Sequence, residues 1–264
     1  MDLNSFKEFF QDNLCEFQKN YPGITLKRIL EDIDESTDFN YLREQLLLRR
    51  PLEHIFGRKY FYKSYFYVNS NVLIPRSETE ILVEKSVEYL KDFPNACVLD
   101  IGTGSGCIPC SIAKEVNNEV QFVVSDISSH ALEVANTNYK KLNIKNDFTF
   151  FCTDRMNGIN KKFNLITSNP PYIKSQSDKE KVHVQVVQYE PHLALFLEDD
   201  EYDQWFEELF NQVNNHLYTG GLFIMEGHED HLKGLKELAS DVFQCDTIIE
   251  KDYTNRDRFL LVRK

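Results

Sequence analysis

Val98-Leu99-Asp100-Ile101-Gly102-Thr103-Gly104-Ser105-Gly106 decides the fold. Its first four residues read as a strand, its three spaced glycines as a loop, and the residues after Gly106 as the opening of a helix. Glycine reaches backbone angles closed to other residues, and its missing Cβ lets the main chain come close to a ligand. In a doubly wound sheet a ligand lies beyond the carboxyl ends of the strands. Gly102, Thr103, Gly104, Ser105 and Gly106 are therefore candidate binding residues. Taken alone, the loop also fits a nicotinamide-dependent oxidoreductase or a purely structural turn.

Candidate strands at 97–101, 120–125, 148–152, 165–168 and 222–225 alternate with helical stretches such as 129–142. That alternation predicts an α/β fold, a parallel sheet with helices on both faces. The end of the chain differs. Segments 247–249 and 259–262 read as two strands joined by a polar loop, a hairpin able to place an antiparallel strand in the sheet.

Three more features fall at strand ends. Asp126 closes the second strand, about 20 residues past the glycine loop, where a carboxylate can accept hydrogen bonds from ribose hydroxyls. The competing reading is a helix cap ahead of Ser128 and Ser129. Asp154 follows the third strand and could accept from an adenine amino group, or cap a loop. After the fourth strand comes Ser168-Asn169-Pro170-Pro171-Tyr172-Ile173. Its two prolines stiffen the backbone and remove two N–H donors. The Asn169 side-chain oxygen and the Pro170 carbonyl then become fixed acceptors, and Tyr172 supplies a flat face. Such a site suits a planar NH2 group conjugated to a carbonyl or a ring.

Ahead of this region, residues 1–50 read as helical. Phe6, Phe9, Phe10, Leu14 and Phe17 recur at spacings of three and four, the pattern of one amphipathic helix, which Pro22-Gly23 breaks. Tyr41, Leu42, Gln45, Leu46 and Leu48 suggest another, ending near Arg49-Arg50 before Pro51. Residues 51–76 turn aromatic and β-prone: Tyr60-Phe61-Tyr62 and Tyr65-Phe66-Tyr67-Val68, separated by Lys63-Ser64, predict a hairpin.

Composition narrows the classes. With 264 residues, 42% hydrophobic and including 20 Phe and 13 Tyr, the chain can fill a core. No apolar run approaches the roughly 18 residues of a membrane span, and the charged first twenty residues do not read as a secretory signal. Six scattered cysteines read as reduced cytosolic thiols. A net charge of −12 disfavours direct nucleic-acid binding and favours a protein partner. Cys107-Ile108-Pro109-Cys110 has redox spacing but sits where a helix packs on the sheet. His228 and His231 have helical spacing but no third ligand, so no metal site is expected. Glu226 and His228 follow the fifth strand on the side where a ligand would lie, with no role assigned.

The glycine loop together with Asn169-Pro170-Pro171-Tyr172 resembles the class I methyltransferase fold, a Rossmann-like seven-stranded sheet. Within it the chain resembles the amino-group methyltransferases that act on adenine N6 or on glutamine amides. Four further segments are similar to release-factor glutamine methyltransferases. Arg49-Arg50-Pro51-Leu52-Glu53-His54-Ile55-Phe56-Gly57 resembles their linker opening. Leu73-Ile74-Pro75-Arg76-Ser77-Glu78-Thr79-Glu80 resembles their Ile-Pro-Arg-Pro-Glu-Thr-Glu segment. Tyr189-Glu190-Pro191-His192-Leu193-Ala194-Leu195-Phe196 resembles their Tyr-Glu-Pro element, and residues 252–258 their Gly-Arg-Asp-Arg loop. Ser77 stands where that family usually has Pro, Arg155 where it has an aromatic after Asp154, and the helical region before Arg49 is shorter than usual.

The resemblance implies S-adenosylmethionine over residues 102–106, with Asp126 on the ribose, Asp154 near the adenine and Asn169 at the methyl. It implies a glutamine amide of the Gly-Gly-Gln motif of peptide-chain release factors as acceptor, held by Asn169, Pro170, Pro171 and Tyr172. Asn169, Pro170 and Tyr172 are the expected catalytic residues. A small helical recognition domain at 1–50, a hairpin linker at 51–76 and a methyltransferase domain at 77–264 follow, in a monomeric cytoplasmic enzyme. The rivals are glutamine methylation of a large-subunit ribosomal protein, adenine-N6 methylation of DNA and a catalytically dead binding module. The Glu78-Thr79-Glu80 run favours the release-factor branch over the ribosomal one, and the acidic chain disfavours DNA.

Overall fold

Four helices open the chain in the computed structural model, which describes residues 1–117 and 119–264. They are α1 (Leu3–Asp12), α2 (Leu14–Asn20), α3 (Leu26–Asp32) and α4 (Phe39–Leu47). The single helix expected across Phe6 to Phe17 is two. The Asn13 side chain donates back to the Phe9 carbonyl at 2.8 Å, competing with the helical ladder as short polar side chains do. The aromatic stripe survives the break: Phe6, Phe10 and Phe17 are buried with Ile29, Leu42 and Leu46 in a core of their own. Tyr41 and Leu48, counted toward the stripe of α4, are exposed.

A short helix, α5 (Leu52–Phe56), ends at Gly57 in the left-handed conformation. The hairpin follows as β1 (Arg58–Phe61) and β2 (Ser64–Tyr67), with Phe61 opposite Ser64. Its two-residue turn is Tyr62-Lys63, one position earlier than the sequence suggested. Both turn residues have positive φ, 39° and 65°, as the right-handed twist of a tight hairpin demands. Tyr62 N–H donates to Glu80 and Lys63 pairs with Glu115, so side chains of the next region hold a turn that lacks glycine.

The remaining helices are α6 (Glu80–Leu90), α7 (Cys107–Glu115), α8 (Ser129–Lys141), α9 (Val184–Tyr189), α10 (Tyr202–His216) and α11 (Leu232–Phe243). The main strands are β3 (Cys97–Ile101), β4 (Gln121–Asp126), β5 (Phe148–Cys152), β6 (Phe163–Ser168), β9 (Leu217–Glu226), β10 (Thr247–Lys251) and β11 (Asp257–Arg263). Between them, the two-residue strands β7 (Ile173–Lys174) and β8 (Phe196–Leu197) pair with each other. The seven-stranded order is β10-β11-β9-β6-β3-β4-β5. Neighbours from β9 to β5 are parallel, and β11 runs antiparallel to both β9 and β10.

Successive strand residues point to opposite faces, and the core divides accordingly. Val98, Phe122, Leu165, Ile224 and Phe259 face α6 and α7. Leu99, Val123, Ile166, Met225 and Leu260 face α10 and α11. Continuous apolar runs such as 222–225 are therefore strands covered on both sides. The chain winds β3, β4, β5 toward one edge and returns to β6 on the far side of β3. That reversal opens a crevice between the carboxyl ends of β3 and β6. The glycine loop leaves one of these ends and Asn169 the other.

β9 carries an irregularity before it enters the sheet: Phe163 pairs with Leu217, but Leu165 pairs with Leu222. Gly221 sits in this bulge, and a Cβ there would lie 2.7 Å from the Tyr218 carbonyl oxygen and 2.8 Å from the Leu217 side chain. Gly221→Ala is expected to cost about 1–3 kcal/mol through overpacking. A lower urea midpoint with an unchanged m-value would show it; an unchanged midpoint would mean that the bulge relaxes freely.

Candidate functional site

The glycine loop is braced by backbone alone at its start. The N–H groups of Gly102 and Thr103 both donate to the Ser125 carbonyl, at 2.9 and 3.0 Å. Gly102 and Gly104 have φ of 69° and 53°, and nothing lies within 4 Å of where their Cβ atoms would stand. The loop thus presents bare main chain to a cleft of about 220 Å³. Gly102, Thr103, Gly104 and Ser105 line it, but Gly106 does not. A Cβ on Gly106 would meet Ala135 of α8 at 3.1 Å, so this glycine serves helix packing rather than the ligand face.

Asp126 joins two elements at the cleft wall. One carboxylate oxygen accepts from Gly104 N–H and the other from Ser128 N–H, both at 2.9 Å. The helix-cap reading passes to Ser128, whose hydroxyl accepts from Ala131 N–H at the start of α8. Burial raises the Asp126 pKa, opposed by these backbone donors. Asp154 also lines the cleft. Its carboxylate accepts from Arg155 at 2.9 Å, and Arg155 reaches Glu208 at 2.7 Å. The guanidinium lies 5.1 Å from the ring centroid of Trp205. Trp205, on α10, lines the cleft.

Across the crevice, Asn169 forms the core of a hydrogen-bonded cluster. Its Nδ2 donates to Glu226 Oε2 at 3.1 Å and to Thr79 Oγ1 at 3.2 Å. Thr79 in turn donates to the same Glu226 oxygen at 2.6 Å, and the Tyr172 hydroxyl donates to Glu226 Oε1 at 3.1 Å. Both ends of the Glu226 carboxylate are occupied. Asn169 Oδ1, in contrast, is buried without a partner, on a residue that lines the cleft beside Pro170 and Pro171. Burial raises the Glu226 pKa, against hydrogen bonds from Thr79 and Tyr172 and the charge of Arg258, with Glu78 adding to the rise. Tyr172, expected as a flat face for the substrate, is not among the cleft-lining residues. Its ring packs on the core and its hydroxyl anchors the loop from behind.

Asp100, in the strand before the glycines, is 1% exposed. Its Oδ1 accepts from Thr167 at 2.7 Å, while Oδ2 has no partner. Burial pushes its pKa from 3.8 up to about 7. Between those values the folded state keeps a proton that the unfolded chain has released, so stability falls as pH rises from about 4 to about 7. Asp100→Asn removes that loss. The ligand-free variant should match the wild type near pH 3.5 and exceed it at pH 8 by up to about 4 kcal/mol. Unfolding midpoints at both pH values check this, and a pH-independent difference would refute it.

The two set-aside motifs have structural roles. Cys107 and Cys110 open α7 and are buried. Burial pushes the Cys107 thiol up to about 12 and raises Cys110 too, which suppresses the reactive thiolate. His231 bonds to the buried carboxylate of Asp178 at 2.7 Å, tying the segment after β7 to the start of α11. Among the described residues, no group of three or more His, Cys, Asp or Glu could hold a metal ion.

A family model described as the methyltransferase small domain matches residues 78–193. A release factor glutamine methyltransferase of Leptospira interrogans is 37% identical, over 97% of this chain and 90% of its own length. Another, from Flavobacterium psychrophilum, is 37% identical over 83% of this chain and 77% of its own. The chain belongs to the release factor glutamine methyltransferase family. More distant solved structures share the fold. A 16S rRNA methyltransferase of T. thermophilus, in complex with AdoMet and guanosine, has a TM-score of 0.53 at 13% identity, covering 78% of this chain and 49% of that one. A ribosomal-protein methylase of Lactobacillus delbrueckii has a TM-score of 0.52 at 18% identity, covering 72% and 80%.

Two of the segments that carry the family resemblance touch directly. Glu190 of the Tyr-Glu-Pro element, with its side chain 1% exposed, accepts from Arg76 at 2.6 Å and from Ile74 N–H at 2.8 Å. Gln185 and Tyr189 of α9 donate to the carbonyls of Arg49, which opens the linker, and Leu48 just before it. Arg258 of the terminal loop bonds to Asp252, and its carbonyl accepts from Gly227 N–H beside Glu226. No sequence pattern singles out Thr79 or Trp205, and none assigns Glu226 a role. The only signal for Glu226 was its place at the carboxyl end of the fifth candidate strand. No helix among the described residues is long and apolar enough to cross a membrane.

Proposed function

We propose that this chain transfers a methyl group from S-adenosylmethionine to the side-chain amide nitrogen of the glutamine in the Gly-Gly-Gln motif of peptide-chain release factors. The observation that carries this reading is Asn169. Its donor end is consumed by Glu226 and Thr79, and its acceptor end is buried and unpartnered, on a residue that lines the cleft. An unpaired buried acceptor is costly, and a substrate NH2 would satisfy it. The bare main chain at Gly102 and Gly104, with Asp126 beside it, fits a nucleoside-bearing cofactor. When bound, S-adenosylmethionine supplies the electrophilic methyl.

The protein's task is then positional. An amide nitrogen is a poor nucleophile, because its lone pair is shared with the carbonyl. Holding it in line at near-attack distance can contribute several of the roughly 7–11 kcal/mol available to well-oriented reactants. Asn169 Oδ1 and the Pro170 carbonyl accept the two amide hydrogens and stabilise positive charge as it builds on nitrogen. The prolines keep these acceptors from relaxing. Tyr172 fixes the loop from behind.

The test is a methyl-transfer assay. Labelled S-adenosylmethionine is incubated with the protein and, separately, with an unmodified release factor, a large-subunit ribosomal protein and duplex DNA. A mass gain of one CH2 on the glutamine of the release factor supports the proposal. Label on the ribosomal protein or on DNA instead would overturn the choice of substrate. Trp205 is the only tryptophan in the chain and lines the cleft, so its fluorescence should respond to the cofactor. A titration that leaves the emission unchanged, with no binding by calorimetry, would remove the cofactor assignment.

A further inference from the structure

Glu226 is a charged side chain buried to 1% exposure, and a methyl-transfer site of this kind has no evident need for a second carboxylate. Three separate parts of the chain nonetheless converge on it, two by hydrogen bonds and Arg258 by its charge. Thr79 lies just ahead of α6, Asn169 and Tyr172 follow β6, Arg258 lies on β11, and Glu226 itself ends β9. Burying a carboxylate is expensive unless its lone pairs are filled. Here three donors fill them: Thr79 and Asn169 on Oε2, Tyr172 on Oε1.

The consequence falls on Asn169. A carboxamide is nearly symmetric in shape, with an acceptor at one end and a donor at the other, so hydrogen bonds decide which end faces where. An ionised carboxylate is acceptor-only. Placed against Asn169, it holds the NH2 end and leaves the oxygen unpartnered, on a residue that lines the cleft. If Asn169 were reversed, two oxygens would meet at the Glu226 contact and an NH2 would face the cleft. The cleft would then repel a glutamine NH2 and welcome a glutamate carboxylate. We infer that Glu226 is a positioning residue that fixes the Asn169 amide and thereby makes the site select a glutamine over a glutamate side chain. This rests on the glutamine reading above and adds the source of its selectivity.

A residue that merely filled space would leave that selectivity untouched. Sites built to hydrogen-bond a substrate N–H reject analogues lacking it by about 10⁴–10⁵-fold. A neutral amide at position 226 would support either orientation of Asn169, because it offers both a donor and an acceptor while keeping the volume.

The experiment compares the wild type with Glu226→Gln, each saturated with S-adenosylhomocysteine. Binding is measured to an unmodified release factor and to the same factor carrying Gly-Gly-Glu; methyl transfer to the Gly-Gly-Gln factor is measured separately. The wild type should methylate the glutamine and bind that form more tightly. In Glu226→Gln, the ratio of the two affinities should shrink at least tenfold and kcat should fall, with KM and cofactor affinity little changed. Glu226→Ala, which removes the acceptor for the Asn169 NH2 instead of exchanging it, should shrink the ratio in the same direction should the Gln variant not fold. An unchanged ratio in a folded variant, whatever happens to kcat, overturns the positioning role alone. A wild type that neither methylates nor prefers the glutamine form overturns the glutamine reading, and the positioning role with it.

Discussion

Asn169→Ala is expected to reduce methyl transfer by at least about 10²–10³-fold, the range seen when one transition-state hydrogen bond is deleted, while cofactor affinity stays close to the wild-type value. The reasoning is geometric. Asn169 follows β6, whereas residues 102–105 and Asp126, assigned to the cofactor, lie after β3 and at the end of β4. The loop braces itself through the Ser125 carbonyl and the Asp126 carboxylate, and none of those bonds involves Asn169. The substitution therefore removes the acceptor for the substrate amide without loosening the loop. It also deprives Glu226 of one of its three donors. Single-turnover transfer at saturating S-adenosylmethionine, beside a Trp205 fluorescence titration, separates the two quantities. Transfer at wild-type rate would discard the role given to Asn169. Equal loss of affinity and rate would mean that Asn169 belongs to the cofactor site instead. Asn169→Asp should fare no better, since a second carboxylate would face Glu226 and force one of the pair to take a proton.

Much of the fold was legible because parallel strands covered on both faces make continuous apolar runs, and helices between them make periodic ones. Those signals are local, and the main strands lie within a few residues of their expected positions. The boundaries that moved did so for reasons outside the pattern. Gln121 begins β4 because the β3 ladder pairs it with Cys97. β9 starts at Leu217 because a glycine bulge lets it pair before the apolar run begins. The hairpin turn shifted to Tyr62-Lys63 because Glu80 and Glu115, far along the chain, stabilise left-handed residues that local preference would not choose.

The site shows the same division. Asn169-Pro170-Pro171-Tyr172 and the glycine loop are contiguous, so their chemistry can be read from neighbours. Glu226 is 57 residues from Asn169 and 147 from Thr79. No spacing rule links them, and only the sheet order places the ends of β6 and β9 side by side. Trp205 is equally remote from Arg155, 50 residues away. Tyr172 differs for a related reason: its hydroxyl reaches the buried Glu226 carboxylate and its half-buried ring packs against the core.

Asp126→Ala should give the opposite kinetic outcome to Asn169→Ala. The carboxylate holds Gly104 N–H and Ser128 N–H, each at 2.9 Å, and it is the candidate acceptor for the ribose hydroxyls. Removing it leaves two part-buried N–H groups without acceptors and withdraws a charged hydrogen-bonding partner from the ligand. Charged hydrogen bonds contribute roughly 1.5–3 kcal/mol each, so cofactor affinity should fall by about 2–4 kcal/mol, or roughly 30- to 1,000-fold. The Asn169 cluster lies across the crevice and shares no bond with Asp126, so transfer should recover largely when the variant is saturated with cofactor. Asp126→Asn should lie between, because its oxygen can still accept from one N–H while its NH2 opposes the other. Isothermal titration with S-adenosylhomocysteine and rates measured over a range of cofactor concentrations decide the matter. If Asp126→Ala binds as tightly as the wild type, the carboxylate is only a loop brace and the ribose lies elsewhere. If it binds weakly but its rate does not recover at saturation, Asp126 orients the bound cofactor as well as holding it, and the separation between a binding wall at β4 and a chemical wall at β6 fails.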